Sequence, residues 1–504
     1  MVKILFPGRH HLMTKFQLNY LNDILHSSLK DYGIDISEPV EEIIFAVTSA
    51  DHSNTRRNPL PLYLRTIALE DFCKDLKVKT RIFPIPDIPT TDKFAEYIIK
   101  QIFHQSLGTL NLNPKNCVVL SSTPSVIKQF EKLGFKILFA ELVSRRPERY
   151  STLRPYEVMN LLVKAGKKWR TAKEWKKYAS LATQNLYYEY NLGDLIIELY
   201  NDSLLTEEGK ITETREYEEY ARQMDAIVKL KYADIKPFIV PGKIADAGCG
   251  TGSLIKLIAK DFRESDIIGI EAVRKFYEYC RSQKYPHEFV FFYRRNILAQ
   301  NFKANSINTF IYSSVLHEIY SYLGKSALRK LLRNTFKQLA FKGRIIIRDV
   351  VGPENKNKKV LMKLCSTDGK STGNIKTLST KARFFKFARE FRYKVKFKIV
   401  NLPEGEFIKL SLKDAYEFMS KKDYLTNWES ELKEEFGFWS FSEWVEELKK
   451  VGFKIVSGSK VFSNPWIIEN RYKGAVELCE LGKEGLKPVD FPPTNMILVG
   501  EKAK

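Results

Sequence analysis

Cysteine and histidine are scarce in this 504-residue chain, at six and seven residues. Cys73, Cys117, Cys249, Cys280, Cys365 and Cys479 form no Cys-x-x-Cys pair, and no histidine clusters with them. That spacing argues against a disulfide framework or a structural zinc site, and no metal ligands are assigned. Long apolar runs are also missing. No stretch approaches the roughly 20 residues of a membrane-spanning helix, and "MVKILFPGRHH" turns polar too early for a signal peptide. A cytoplasmic protein with no membrane partner is expected. Acidic residues are in deficit, 60 Asp and Glu against 82 Lys and Arg, a net charge of +22. Such an excess suits RNA or charged nucleotides, and equally a solvated basic surface. Hydrophobic residues at 44% and aromatics at 13% are enough for sizeable cores.

The length predicts two or three domains. Up to about residue 170, short apolar runs ("EEIIFAVTSA", "NCVVLSS", "FKILFAELV") alternate with helical patterns ("LPLYLRTIALEDFCKDL", "PSVIKQFEKLG"). Alternation of this kind predicts a parallel sheet with covering helices. Residues 171–238 read as a helical connector rich in Tyr, Glu and Lys. A second alternating region, 239–504, begins at "GKIADAGCGTG". The expected fold class is α/β: two Rossmann-like parallel-sheet domains, 1–170 and 239–504, joined by the connector, with a lid insertion at about 353–440 in the second.

The first loop, "FPGRHHLMTKFQLNYL", follows a strand and opens a helix. Such a loop lies at the carboxyl edge of the sheet, and the helix start offers free N–H groups to phosphate. Arg9 adds a permanently charged fork. With "VTSADHSNTRRNPLPLYLR", "FPIPDI" and "ERYSTLRPYEVMNLL" in order, residues 2 to about 170 resemble the archaeal-type nicotinamide-nucleotide adenylyltransferases. The resemblance implies adenylyl transfer from ATP with magnesium. Gly8 and Arg9 match the family's G-R, Ser151 and Arg154 its late S-x-T-x-x-R signature, and Arg154 is the implied triphosphate contact. Thr14 and Gln17 stand where the family has its two histidines, and Phe16 where it has glycine. Both replacements can donate hydrogen bonds, and neither carries charge. His10 and His11 come earlier, as replacements for the lost pair or as exposed loop residues; His11 joins the implied nucleotide contacts. Two readings follow: altered catalysis, or a silent binding or docking domain.

"KIADAGCGTGSLIKLIAK" is strand, glycine loop, helix. Four further strands follow in "DIIGIEAV", "FVFFYRRNIL", "INTFIYSSVLHEI" and "KGRIIIRDV", and a late helix and strands in "FSEWVEELKKVGFKIVSGSKV" and "TNMILVGEK". The ordered set resembles the class I S-adenosylmethionine-dependent methyltransferases; D-x-G-x-G-x-G differs from the dinucleotide fingerprint of dehydrogenases. The resemblance implies that Asp246, Gly248, Gly250 and Gly252 hold the methionine moiety of S-adenosylmethionine, Glu271 its ribose and Asn296 its adenine. His317 and Glu318, just after the fourth strand, fall where the methyl group would be, with Tyr320 and Asp349 near the same edge. His317 reads either as a general base or as a histidine packed beside the cofactor.

Between Phe341 and Leu410 basic residues outnumber acidic ones roughly three to one. "TKARFFKFAREFRYKVKFKIV" interleaves them with aromatics, a pattern that serves phosphate contacts and base stacking, or an amphipathic helix and strand with solvated lysines. "NWESELKEEFGFWSFSEW" is acidic and aromatic instead. The expected activity is methyl transfer to RNA or a nucleotide-bearing substrate, or to a small metabolite beside a silent first domain. The sequence assigns no oligomeric state.

Overall fold

A computed structural model describes residues 2–88, 91–201, 216–482 and 485–503. The chain divides into two units, 1–207 and 208–504.

In the first unit, β1 (Val2–Gly8), β2 (Val40–Thr48), β3 (Lys79–Ile85), β4 (Cys117–Leu120) and β5 (Lys136–Leu138) form a parallel sheet in the order β3-β2-β1-β4-β5. Both faces of the central strands are buried, which is why their middle positions are apolar. Ile4, Phe6, Phe45 and Val118 point into one core and Leu5, Ile44, Ala46 and Val119 into the other. The strand order reverses between β1 and β4, so the loop after β1 sits at the switch point where ligands of such sheets bind. A short hairpin of β6 (Leu142–Arg145) and β7 (Glu148–Tyr150) precedes the helix Pro155–Ala165.

The span read as one connector, 171–238, is shared between the units. Helices Leu181–Glu189 and Leu192–Asn201 build a third core of the first unit, where Trp169, Trp175 and Tyr187 meet Leu12, Leu60 and Leu64. Helix Val228–Ile235 packs in the second unit. Residues 202–215 of the span lie outside the described residues.

The second unit carries β8 (Lys243–Ala247), β9 (Asp266–Glu271), β10 (Val290–Arg294), β11 (Ile307–Ser313) and β12 (Leu339–Asp349), all parallel. Later strands are β13 (Lys359–Leu364), β14 (Lys398–Leu402), β15 (Gly405–Ser411), β16 (Phe453–Ile455), β17 (Lys460–Phe462), β18 (Val476–Gly482), β19 (Gly485–Pro488) and β20 (Asn495–Lys502). The main sheet runs β10-β9-β8-β11-β12-β20-β16, with β17 also on β20; β20 is antiparallel to β12. An antiparallel cap sheet, β14-β15-β13-β18-β19, stands apart. The insertion expected at about 353–440 supplies β13–β15 only. β18 and β19 arrive after the sixth strand, in a stretch with no compositional mark of an insertion.

The aromatics of the basic stretch build this cap's core. Phe384, Phe387 and Phe391 recur at helical spacing on and just beyond helix Thr380–Glu390, and pack with Val360, Met362, Phe418 and Tyr472. They face the cap interior rather than a stacking surface.

Candidate active site

Tight backbone geometry sets the second unit's loop. Gly248, Gly250 and Gly252 all have left-handed φ, between +54° and +83°. A Cβ on Gly252 would lie 3.0 Å from both Cys280 Sγ and Tyr285 Oη, so the loop is pressed onto the helix Arg274–Ser282 and the turn after it. A Cβ on Gly250 would meet open space, the side from which a ligand reaches the backbone. Glu271, at the end of β9, fixes the loop: its carboxylate accepts from Gly250 N at 2.8 Å and Val273 N at 2.7 Å. Burial pushes the Glu271 carboxyl up to about 7 against these bonds. Burial likewise raises Asp246 to about 7, with Lys231 opposing it. A buried acid pair held near its ionisation point beside an open glycine backbone suits a cofactor that brings hydroxyls and positive charge. Asn296, just beyond β10, turns its Oδ1 to Leu298 N at 3.0 Å, which orders the loop.

Two residues outside the motif join the loop. Asp225 accepts from Thr251 Oγ1 and Ser253 Oγ, both at 2.6 Å. Lys231 is buried, and burial brings its ammonium down to about 8 while Asp349, Asp246 and Asp225 oppose. Both come from the helical stretch before the motif, where nothing in the local sequence marks them.

At the end of β12, Asp349 accepts from Leu316 N at 2.8 Å and so caps the helix Leu316–Gln338. Its other oxygen takes His317 Nδ1 at 2.6 Å. On the far side of the imidazole, Nε2 lies 3.5 Å from Glu434 of the cap, and Phe436 packs edge-on at 5.0 Å. His317, Asp349 and Glu434 are all buried. Burial is the largest influence on His317 and disfavours its charge, but Asp349, Glu434 and Glu318 outweigh it and hold the ring up at about 9. Burial would raise Asp349 too; His317 and the backbone donors hold it below the usual carboxylate range. These neighbours favour the charged ring, whose Nδ1 is engaged by Asp349 and whose Nε2 faces Glu434. Glu318, at the same helix start, is buried and adds slightly to the upward push on the Glu271 carboxyl. Sequence reasoning missed Glu434 as a partner of His317; the acidic break in an otherwise basic insertion was its signal.

In the first unit the expected nucleotide residues serve the fold. Thr14 and Gln17 form a capping box on helix Lys15–His26: Gln17 N donates to Thr14 Oγ1 at 3.1 Å, and Thr14 N to Gln17 Oε1 at 3.0 Å. Gln17 Nε2 donates to buried Glu141 at 3.0 Å. Residues 178–183 cross the loop, with Lys15 N on Tyr178 O at 2.8 Å and Ser180 N on Met13 O at 2.9 Å. His10 lies over Gly8, where a Cβ would meet its ring at 2.9 Å. Burial lowers His10 to about 4 and pushes His11 well below the usual range. Both His11 nitrogens are used, on Asn58 Oδ1 at 3.3 Å and Leu60 N at 3.4 Å. Neither ring is an exposed loop histidine. Arg9 donates to Arg57 O at 2.9 Å. Ser151 N donates to Glu141 O at 2.9 Å. Arg154 does begin a helix, but its guanidinium binds Glu157 at 3.0 Å and lies over Tyr150. Among the described residues, no group of three His, Cys, Asp or Glu is placed to hold a metal ion, and no helix is long and apolar enough to cross a membrane.

Residues 242–392 match a family model described as a methyltransferase domain. The first unit is similar to the nicotinamide-nucleotide adenylyltransferase of Saccharolobus solfataricus, at 26% identity over 159 residues, 31% of this chain and 79% of the relative. The Methanosarcina acetivorans enzyme of the same name is 27% identical over 134 residues, 27% of this chain and 68% of that one. Among solved structures, an S-adenosylmethionine dependent methyltransferase from Mesorhizobium loti covers 55% of this chain and 99% of its own at 13% identity and a TM-score of 0.32. The chain thus carries a methyltransferase domain, behind a region distantly similar to archaeal nicotinamide-nucleotide adenylyltransferases.

Proposed function

We propose that the chain is an S-adenosylmethionine-dependent methyltransferase acting on a small acceptor enclosed beneath the cap, with the first unit a catalytically silent nucleotide-fold module. The observation that carries this reading is the burial of His317 between Asp349 of the main sheet and Glu434 of the cap. Carboxylates and an aromatic ring, rather than basic side chains, gather at this end: Asp349, Glu434 and Phe436 surround His317. When bound, S-adenosylmethionine supplies an electrophilic methyl group on a sulfonium. Asp246, Gly248, Gly250, Gly252 and Glu271 would hold it, with Asn296 at the adenine. The chain's remaining task is alignment and exclusion of water. His317 serves as a positioning residue that keeps Asp349 and Glu434 in place.

Silence of the first unit rests on the capping box. Thr14 Oγ1 and Gln17 Oε1 each accept from the other's backbone N–H, and Gln17 Nε2 donates to Glu141; removing an aimed donor from such a site typically costs about 10² to 10³ in rate. The test incubates the protein with methyl-tritiated S-adenosylmethionine and separate RNA and small-metabolite fractions of a cell extract. Label should enter the small metabolites and be lost in Glu271→Ala. Label in RNA would overturn the small-acceptor reading and restore a nucleic-acid substrate for the basic cap.

A further inference from the structure

Lys231 is a buried cation in a helix that the rest of the fold holds still. The helix Val228–Ile235 is pinned on both sides of it: Tyr232 Oη donates to Asp261 at 2.6 Å, and Arg348 Nε of β12 donates to Asp234 at 2.9 Å. Three carboxylates act on the Lys231 ammonium: Asp349, Asp246 and Asp225. Two of them have other work. Asp349 accepts from His317 Nδ1 and the backbone, and Asp225 accepts from Thr251 Oγ1 and Ser253 Oγ. Asp246 is the third, and it and Lys231 favour each other's charge where burial disfavours both. A buried ion pair is often no more stable than apolar side chains of the same size, and the core around this helix, with Ile235, Ile255 and Ile346, is otherwise apolar.

Ser313 adds a hydroxyl. Its Oγ, at the end of β11, is buried without a hydrogen-bond partner. Strand alternation puts Ser313 on the same sheet face as Ile311, the face that helix Val228–Ile235 covers. Ile311 is in register with Asp246, so Ser313, two residues on, comes level with the start of the glycine loop.

We propose that Lys231 and Ser313 receive the carboxylate of the methionine moiety of S-adenosylmethionine, while Asp246 receives its ammonium. An α-amino acid carries opposite charges on one carbon, and its recognition takes a cation and an anion in one place. The ligand then exchanges one buried attraction, between Lys231 and Asp246, for two. Arg348, the other cation acting on Lys231, is committed to Asp234. The assignment rests on the S-adenosylmethionine reading above and adds what makes the site select the amino-acid end of the cofactor.

Calorimetry on the purified full-length protein compares S-adenosylmethionine with decarboxylated S-adenosylmethionine, which keeps the nucleoside, the sulfonium and the ammonium. Wild type should prefer the carboxylated ligand by about 10- to 100-fold, the worth of one hydrogen bond to a charged group. Lys231→Met should bring the two affinities together by weakening S-adenosylmethionine alone. Ser313→Ala leaves the buried charges untouched and should narrow the preference by a smaller factor, whether or not Lys231→Met folds. Wild type that binds neither ligand overturns the cofactor reading and this assignment with it. Equal affinities in wild type overturn the assignment alone. So does a folded Lys231→Met that weakens both ligands equally, or an unchanged preference in Ser313→Ala.

Discussion

His317 shows how much one residue's environment decides. An imidazole held at about 9 instead of 6.5 contributes about 3 kcal/mol of stability while it is charged. The folded value lies above the unfolded one, so the contribution is complete below pH 6.5 and is lost as pH rises through about 9. His317→Gln should therefore unfold more easily than wild type at pH 6, and the gap should close by pH 10; denaturant titrations across that range measure it. A gap independent of pH would mean that the ring acts by shape rather than charge. Thr14 and Gln17 teach a converse lesson. Thr-x-x-Gln before an apolar run is the signature of a capping box, legible without any family in mind. Read against the adenylyltransferase pattern, the same letters look like altered catalytic residues. Asp349 was legible as a residue at the cofactor edge, but its bond to His317 spans 32 positions in sequence, and periodicity carries no record of such a pairing.

Among elements, the cap is where local pattern informed least. Its basic, aromatic helix announces amphipathicity, but charge alternation cannot say which face is inside, and Phe384 and Phe387 proved to be core. The cap is braced by Glu417 and Lys421, an ion pair with both side chains fully buried. Glu417 also accepts from Gly437 N at 2.6 Å and Phe436 N at 3.2 Å, and thereby anchors the segment that carries Glu434. Removing one partner of such a pair leaves an uncompensated buried charge, a loss of about 3–5 kcal/mol. Lys421→Met should lower the melting temperature and open the cap to proteolysis near residues 434–439. The double variant Glu417→Gln, Lys421→Met should recover much of that loss; equal damage in single and double variants would show that the pair's charge is not what holds the segment. The parallel strands, by contrast, were plain in the sequence, because burial on both faces makes runs such as Ile43–Val47 and Cys117–Leu120 apolar.

At the scale of the whole molecule, the divide between units falls later than composition suggests. Composition changes near residue 170, but the first unit's third core needs Trp175, Ala179, Tyr187 and Ile196 from beyond that point. Tyr187 Oη also donates to His11 O at 2.8 Å, and Thr183 binds Met13 on both its amide and its carbonyl. A fragment of residues 1–201 should fold, with a cooperative thermal transition by circular dichroism. A fragment of 1–170 should be insoluble or lack that transition, and a sharp melt from it would move the boundary back. The second unit adds a constraint of timing. β20 lies between β12 and β16, and β18 is the partner of β13. Both come from residues 476–502, far along the chain from β12 and β13. Until they emerge, the main sheet is open beside β12 and the cap beside β13, so the nascent chain waits with two exposed seams. Most of the second unit must therefore be synthesised before its two sheets can close.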